Sequence, residues 1–419
     1  MKTIILIAVI YLLISSLAAI TTPRSLAFAD SYGLRAYGSD ALYWNPASLV
    51  PGKRTFDIPI TNLQFRVENN AMSLNTYNSV TGQYIDDDLK DKILSGFKGH
   101  LGFNGNVHST IIGTSFGHMG LGIGVNAIGS ARISKQYLNL LFYGNEDSQV
   151  MNFTQKHNDG EGVLFSDITL GSGNYEISKL IPPYVKQGLP PVRFGIAVSL
   201  LTGIKGYEVT HFNGHFSTED DGINLIQDTA YNEGTMGFGY KAMIGFKSEP
   251  MKNLEVGLTF DNIAGQIKWS GSNKRHYSHV EIDSVYLADL DEDIADPTDS
   301  TTSMGTFTTK LPAEMNTSVL YHLGKASFSL DWKQGFRDSF LTTKQPKLSL
   351  GVEFLPTKKL PIQFGYSIPT KYEPYRFAYG FGLRFRRFET GFSLQSSHAL
   401  FPSYLSRGFT FALHSRMLY

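Results

Sequence analysis

Histidine and aspartate groups at ligand-like spacing are where a chemical role for this chain would first show. His211 and His215 lie four residues apart, and His276 and His279 three apart. On a helix either pair would share a face and grip a metal. Both fall in segments of strand or loop character, and no third ligand at matching spacing accompanies them. Asp289, Asp291 and Asp293 have the D-x-D-x-D start of a calcium loop. The sixth position of that pattern is Ile294 where the turn needs Gly, and the twelfth is Ser300 where a bidentate Glu belongs. The stretch therefore reads as a solvated acidic face, and no metal site is expected. Gly122-x-Gly124-x-x-Ala127 meets the looser form of a dinucleotide loop. It opens a strand, however, whereas such a loop follows a strand and starts a helix. Neither a nucleophile elbow nor a Ser–His–Asp set stands out. The chain reads as a non-enzyme with no catalytic residues and no cofactor.

Composition narrows the class further. Lys plus Arg and Asp plus Glu each number 37, so no electrostatic case exists for nucleic acid. Cysteine is absent, which excludes disulfides and a lipidated N-terminal cysteine. Lys2, the apolar run Ile4–Ile14 and the small-residue Ser16-Leu17-Ala18 read as a secretory signal peptide over residues 1–19. The run is shorter than the roughly 20 apolar residues that a spanning helix needs. No later run approaches that length. A secreted, Cys-free chain with 41 Gly and 13% aromatic residues leaves a soluble all-β protein or a transmembrane β-barrel.

The C-terminus separates these two. In "GFTFALHSRMLY" one face carries Phe409, Phe411, Leu413, Ser415, Met417 and Tyr419, and the other Thr410, Ala412, His414, Arg416 and Leu418. This is a period-two strand. A soluble domain seldom leaves such an aromatic face bare, whereas the closing strand of a barrel turns it to lipid. The strand also resembles those read by the outer-membrane assembly machinery. Similar segments recur upstream, from Thr55–Val67 onward, and about 14 antiparallel strands are expected. Two of them, Gly120–Tyr143 and Val192–His215, exceed the 9–11 or so residues of one crossing. Each must project beyond the membrane or contain a break. The connections alternate in length. Gly117–Met119, Ser248–Asn253, Leu323-Gly324, Pro356–Lys359 and Arg386-Arg387 are short, and the long Ser172–Pro191 is the exception on that side. Long loops face outward, notably 68–106 and 264–312. Short inner turns with long outer loops are the barrel pattern. Within the first outer loop, Asp86–Phe97 reads as a short helix with Asp87 and Asp88 at its start and Leu89, Ile93 and Leu94 at helical spacing. Asp283–Ser303 is acidic and reads as a mobile outer loop.

One segment is neither helix nor strand: "GLRAYGSDALYWNPASLV", Gly33–Val50. Pro46 fixes one backbone angle and biases Asn45 out of helix, so the Asn45 side chain is free to hold a bend. The order of this segment, closing on Asn45-Pro46-Ala47 before a first strand at about Thr55, resembles the N-terminal hatch of the FadL-type outer-membrane transporters. The resemblance implies an all-β membrane barrel of about 14 strands in a Gram-negative-type outer membrane, with residues 20–54 as a hatch inside the lumen of a barrel formed by 55–419. It further implies passive uptake of a hydrophobic small molecule by a monomer. Tyr37, Tyr43, Trp44, Asn45, Pro46, Ala47 and Leu49 would face the ligand or form the hatch, and Leu89, Ile93 and Leu94 would capture cargo at the outer loop. The hatch is shorter than in those transporters, and the loop Glu68–Asn106 does not read as their ligand-capturing helical pair. The same Asn-Pro-Ala opening occurs in relatives of unknown cargo and in the shuttle proteins of type IX secretion. A barrel that binds secreted proteins is thus the alternative.

Overall fold

A computed structural model of the chain describes residues 22–419 except 53, 60, 82–83, 146–149, 181–189, 220–221, 286–297, 339–341 and 371–372. The expected signal peptide and the Asp289–Asp293 pattern lie outside the described residues. Closure is set by the first strand. Its two halves, β1 (Arg54–Asp57) and β2 (Leu63–Asn69), both pair with β3 (His100–Phe116) on one side and with β19 (Gly408–Leu418) on the other. Next come β4 (Met119–Ser134), β6 (Asp159–Glu176) preceded by the short β5 (Met151–Thr154), β7 (Val192–Glu219) and β8 (Gly222–Met251). One ascending wall strand is then built from β9 (Leu254–Trp269) and β10 (Lys274–Val285), which meet the inner and outer parts of β8. Beside it β11 (Thr298–Ser303), β12 (Phe307–Lys310) and β13 (Glu314–Leu323) descend as one. The strands β14 (Ala326–Gly335), β15 (Lys347–Thr357), β16 (Leu360–Ser367), β17 (Arg376–Arg384) and β18 (Phe388–Ser397) complete the meander. The result is a closed antiparallel barrel of 14 strands, as the alternation and connection lengths imply. Closure leaves the wall without free edges.

Sidedness follows the period of two. On β19, Phe411, Leu413 and Met417 are exposed while Thr410, Ala412 and Arg416 are buried. On β7, Ile196, Val198, Leu200 and Ile204 point out, and Ala197, Ser199 and Leu201 point in. The inward set is mostly Ser, Thr, Asn, Gln and charged residues, among them Gln64, Arg66, Asn126, Asp167, Asp331 and Arg376. An oily outside around a polar bore is the arrangement of a membrane barrel. Among the described residues no helix is long and apolar enough to cross a membrane.

The two overlong stretches resolve differently. Gly120–Tyr143 contains a break, because β4 stops at Ser134 and Lys135–Tyr143 is a helix. Ser134 causes the switch: its hydroxyl accepts from the Tyr137 N–H at 3.1 Å and caps the helix. By contrast β7 runs unbroken for 28 residues and pairs throughout with the 30-residue β8. At about 3.3 Å per residue this hairpin outreaches the lipid band, and on β7 the exposed large apolar residues stop at Tyr207. Within the expected outer loop 216–233, residues 216–219 and 222–233 are therefore strand. Much of 264–312 is strand as well, in β10, β11 and β12. The first outer loop holds two helices, Leu74–Val80 and Asp87–Ser95, capped by Ser73 and Asp86. Only the second is expected from the spacing of its apolar residues.

The projecting sheet carries the histidines. His276 Nε2 meets Glu233 at 2.8 Å and His279 Nδ1 meets Asp228 at 2.8 Å, both from β10 to β8 above the lipid band. Among the described residues no group of three such side chains is placed to hold a metal. The hydrogen bond to Asp228, with a second to Glu281, raises the His279 pKa above its ordinary value. A raised histidine pKa favours the folded sheet below the unfolded value near 6.5, and that contribution is lost as pH rises through the folded value. An NMR titration of His279 should show a midpoint above 6.5, returning toward it in Asp228→Asn.

One apolar cluster interrupts the polar lumen. Trp269 is fully buried among Ile128, Val163, Phe165, Leu201 and Ile267. Its ring fits because Gly203, Gly206, Gly234 and Gly237 face it. A Cβ on any of them would fall 2.4–2.8 Å from ring atoms. The indole N–H donates to Thr309 Oγ1 at 2.9 Å. Trp269→Ala should lower stability by about 3–5 kcal/mol, the usual range for emptying so large a site. A urea unfolding curve in detergent micelles reads it.

Candidate functional site: the segment in the bore

Residues 22–49 lie inside the barrel, packed against the inward face of the wall strands rather than solvent. Leu26, Ala27, Ala41, Leu42, Ala47 and Leu49 are all essentially inaccessible. The segment has its own apolar core, in which Tyr32 stacks on Phe28 at 5.9 Å between ring centres and meets Trp44 edge-on at 5.7 Å. Four short turns, Ser25–Phe28, Gly38–Asp40, Ala41–Trp44 and Pro46–Ser48, satisfy part of its backbone. The wall supplies the rest. Asp331 accepts from the Gly33 N–H at 2.9 Å, and Ser329 accepts from Ser31 Oγ at 2.9 Å. A segment inside a bore must find such partners, since an unpaired buried amide is costly.

The Asn45-Pro46-Ala47 turn shows how local sequence sets the shape. Asn45 is extended at φ −158°, and its Oδ1 accepts from the Ala47 N–H at 3.0 Å. Its amide Nδ2 donates to the Phe246 carbonyl at 3.1 Å. Asn174 Nδ2 donates to the Leu49 carbonyl at 2.6 Å. The wall opposite is glycine. A Cβ at Gly173 or Gly195 would lie 1.9 or 2.4 Å from Pro46 backbone atoms, and one at Gly245 would lie 2.1 Å from Asn45 Oδ1. The same device seats Phe28 and Ala29 on Gly365, where a Cβ would lie 2.2 Å from the Phe28 carbonyl carbon.

Two buried ion clusters tie the segment to the wall. In the first, Arg24 reaches Asp40 at 3.0 Å, Asp57 at 3.2 Å and Glu389 at 3.3 Å. Arg416, from the last strand, reaches Asp57 at 2.8 Å and Asp40 at 3.1 Å. Ser39 also donates to Asp57. In the second, Asp30 meets Arg66 at 3.1 Å and Lys347 at 3.5 Å. Lys347 and Arg376 share Glu373 at 3.1 and 3.0 Å, and Arg376 also holds Glu68. Buried pairs of this kind add little net stability but penalise any other placement of the partners.

The structure distributes the expected site residues unevenly. Tyr43, Trp44 and Leu49 are buried, not open: Tyr43 donates to Asp167 at 2.8 Å, and Trp44 to Thr22 Oγ1 at 3.0 Å. Tyr37 is half-buried and donates to Glu389. Ile93 and Leu94 are covered by the outer-loop core with Ala71, Phe97, Leu101 and Leu138, and Leu89 is half-exposed. These three therefore do not form an open landing patch. Of the expected residues, Tyr37 borders the main cavity, and its other neighbours from the segment are not among those expected. Phe28, Tyr32, Leu34, Ala36 and Val50 border a cavity of about 650 Å³ at the inner end of the bore, beside Leu320 and Leu355 of the wall. Sequence reading missed the ion clusters and this cavity. The available signal was charge at inward positions of strands, as at Arg66, Glu68, Arg376 and Arg416.

Residues 46–242 match a family described as a family of unknown function (DUF5723). No curated protein matches. Solved structures similar to the chain include the toluene transporter TodX of Pseudomonas putida, 11% identical, with 97% of each chain covered and a TM-score of 0.47. The toluene transporter TbuX of Ralstonia pickettii is also 11% identical, with 97% of this chain and 98% of that one covered and a TM-score of 0.47. A Pseudomonas aeruginosa FadL homologue is 11% identical over 96% of this chain and 98% of that one, with a TM-score of 0.45.

Proposed function

We propose that this chain is an outer-membrane channel for passive uptake of small hydrophobic molecules, with residues 22–49 as its hatch. One observation carries the reading. The bore is filled by a segment of the chain itself, tied by polar groups yet presenting Phe28, Tyr32, Leu34 and Ala36 to a cavity within the usual ligand-pocket size range. The apolar lumen sector around Trp269 supports greasy cargo over a polar solute. Next to it the wall is irregular: Asn262 and Ala264 adopt left-handed backbone, φ 53° and 54°, and β12 and β13 divide there. Movement of the hatch would connect these apolar surfaces. No energy source is needed where apolar burial, worth about 25 cal/mol per Å², drives entry. The membrane lipid surrounds a monomer. Liposomes carrying the protein should take up labelled fatty acid or alkylbenzene faster than empty ones, and a chain lacking residues 21–50 should differ in rate. Equal rates for all three samples would rule the reading out.

The projecting β7–β8 hairpin favours a second reading, a platform on which secreted proteins dock. Co-purification of a stable protein partner with a barrel that transports nothing would support it.

A further inference from the structure

At the outer end of the bore two carboxylates stand directly opposite each other. Glu161 of β6 is the cross-strand partner of Glu208 of β7, and Glu208 is in turn the partner of Asn232 of β8. The three form one row across adjacent strands, at the outermost pair of the β6–β7 ladder. All three face the bore. Val163, Gly206 and Gly234, two positions further in on the same strands, meet the Trp269 cluster, and strand residues two apart share a face. Directly opposed side chains have Cβ atoms about 4.5–5.5 Å apart, and like charges so placed are destabilising.

Fixed cations do not relieve that repulsion. Among the described residues neither Glu161 nor Glu208 has a Lys, Arg or His nitrogen within 4.0 Å or a side-chain hydrogen bond. Arg132 is taken by Asp159 in a two-pronged contact at 2.7 and 2.6 Å. Arg275, next in the row after Asn232, donates to Thr210 Oγ1 at 3.2 Å, and Arg337 donates to the Lys310 carbonyl.

The third member of the row carries an independent sign of a ligand. Asn232 is only 8% exposed, and its shielded side-chain oxygen accepts no hydrogen bond. Such an atom is rare in a finished interior. Two carboxylates and an amide oxygen in one row offer acceptors and two negative charges. A hard divalent cation answers both needs, because it takes oxygen ligands from carboxylates, amide carbonyls and water. With an amide as its third donor the row is not a group of three His, Asp or Glu side chains, of which the described residues hold none suited to a metal.

We propose that Glu161, Glu208 and Asn232 bind a divalent cation of the calcium type, with water completing its shell. The ion stitches β6, β7 and β8 together where the β6–β7 pairing stops and the hairpin goes on alone. The inference is independent of what passes through the bore.

The test uses the full mature chain in non-ionic detergent micelles, stripped with a chelator, with calcium, magnesium and sodium as probes. Two carboxylates and one amide make a site of low charge, so calcium should bind with a Kd of about 10⁻⁴–10⁻³ M, as in weak extracellular modules. Isothermal titration should show one saturable site, and the thermal unfolding midpoint should rise with calcium. Glu161→Gln and Glu208→Gln should each weaken binding about tenfold or more, and Asn232→Ala should weaken it less. Glu281→Gln, elsewhere on the projecting sheet, should leave it unchanged. Without added cation the two Gln variants should unfold no earlier than the parent, since each removes a repulsion, and this separates charge from packing. Saturable binding of either divalent ion that both Gln variants lose supports the proposal. Binding that survives in both, a midpoint that responds equally to sodium, or no calcium response at neutral pH, as for a carboxyl pair closed by a shared proton, overturns it.

Discussion

Gly195→Leu should open the bore while leaving the wall standing. Gly195 faces inward on β7, and a Cβ there would fall 2.4 Å from the Pro46 carbonyl carbon and 2.5 Å from the Ala47 nitrogen. These are backbone atoms of a turn held by its own Asn45–Ala47 bond and by the bond to the Phe246 carbonyl, so they cannot yield by a rotamer change. In the wall ladder Gly195 pairs with Gly245 through backbone groups, so the ladder bonds themselves do not depend on its side chain. The segment must therefore leave its seat. Overpacking of this kind costs about 1–3 kcal/mol, and here the strain falls on the segment and not on the cylinder. In planar bilayers the variant should conduct at a porin-like level where the parent is closed. Trypsin should then cut after Arg24 or Arg35. Ile196→Leu, one residue along and facing lipid, is the control and should do neither. A folded Gly195→Leu barrel that remains closed and uncut would show that residues 22–49 do not block passage.

Arg416→Met should be among the most damaging single changes in the molecule. Arg416 is completely buried, and its guanidinium bridges Asp57 and Asp40 while donating to the Tyr37 carbonyl at 3.0 Å. The cluster holds three carboxylates, Asp40, Asp57 and Glu389, but only Arg24 and Arg416 reach the two aspartates. Without Arg416 the cluster would keep Arg24 for Asp40 and Asp57, with Glu389 shared between Arg24 and the half-exposed Arg384 at 3.6 Å, in a site with little water. Removing one partner of a buried network costs about 3–5 kcal/mol, far more than the network contributes as a whole. The urea midpoint should fall accordingly, and residues 22–49 should become accessible to protease before the barrel unfolds. Arg416→Lys should rescue little, since an ammonium cannot span two carboxylates as the planar fork does. Adding Asp57→Asn to Arg416→Met should recover part of the loss, because it removes one of the stranded charges. No recovery in that double variant would mean that Arg416 acts by packing and not by charge.

The legible parts of this chain are those with a local cause. Alternation along "GFTFALHSRMLY" could be read because each strand residue meets lipid or bore according to its own parity. The helix Asp87–Ser95 is legible through Asp87 and Asp88 at its start and the spacing of Leu89, Ile93 and Leu94, but Ile93 and Leu94 are loop core and not a landing surface. The helix Lys135–Tyr143 is hidden because no Gly or Pro separates it from the strand before it, and only the Ser134 hydroxyl marks the switch. Leu74–Val80 was missed for a similar reason, its sole local mark being the Ser73 cap.

By itself the sequence determined the sidedness of the wall, the strand count, the alternation of turn lengths and the bend at Asn45-Pro46. Each of these depends on neighbours within a few residues. Tertiary structure alone decided which inward groups meet. Arg24, Asp40 and Asp57 reach Glu389 and Arg416 from the far end of the chain, and the glycines under Pro46 come from three different strands. Those meetings depend on how the strands are staggered around the barrel, and a slip of one residue exchanges every inward group for its outward neighbour. Nothing in any one strand records that stagger, because it is fixed only when the last strand closes on the first.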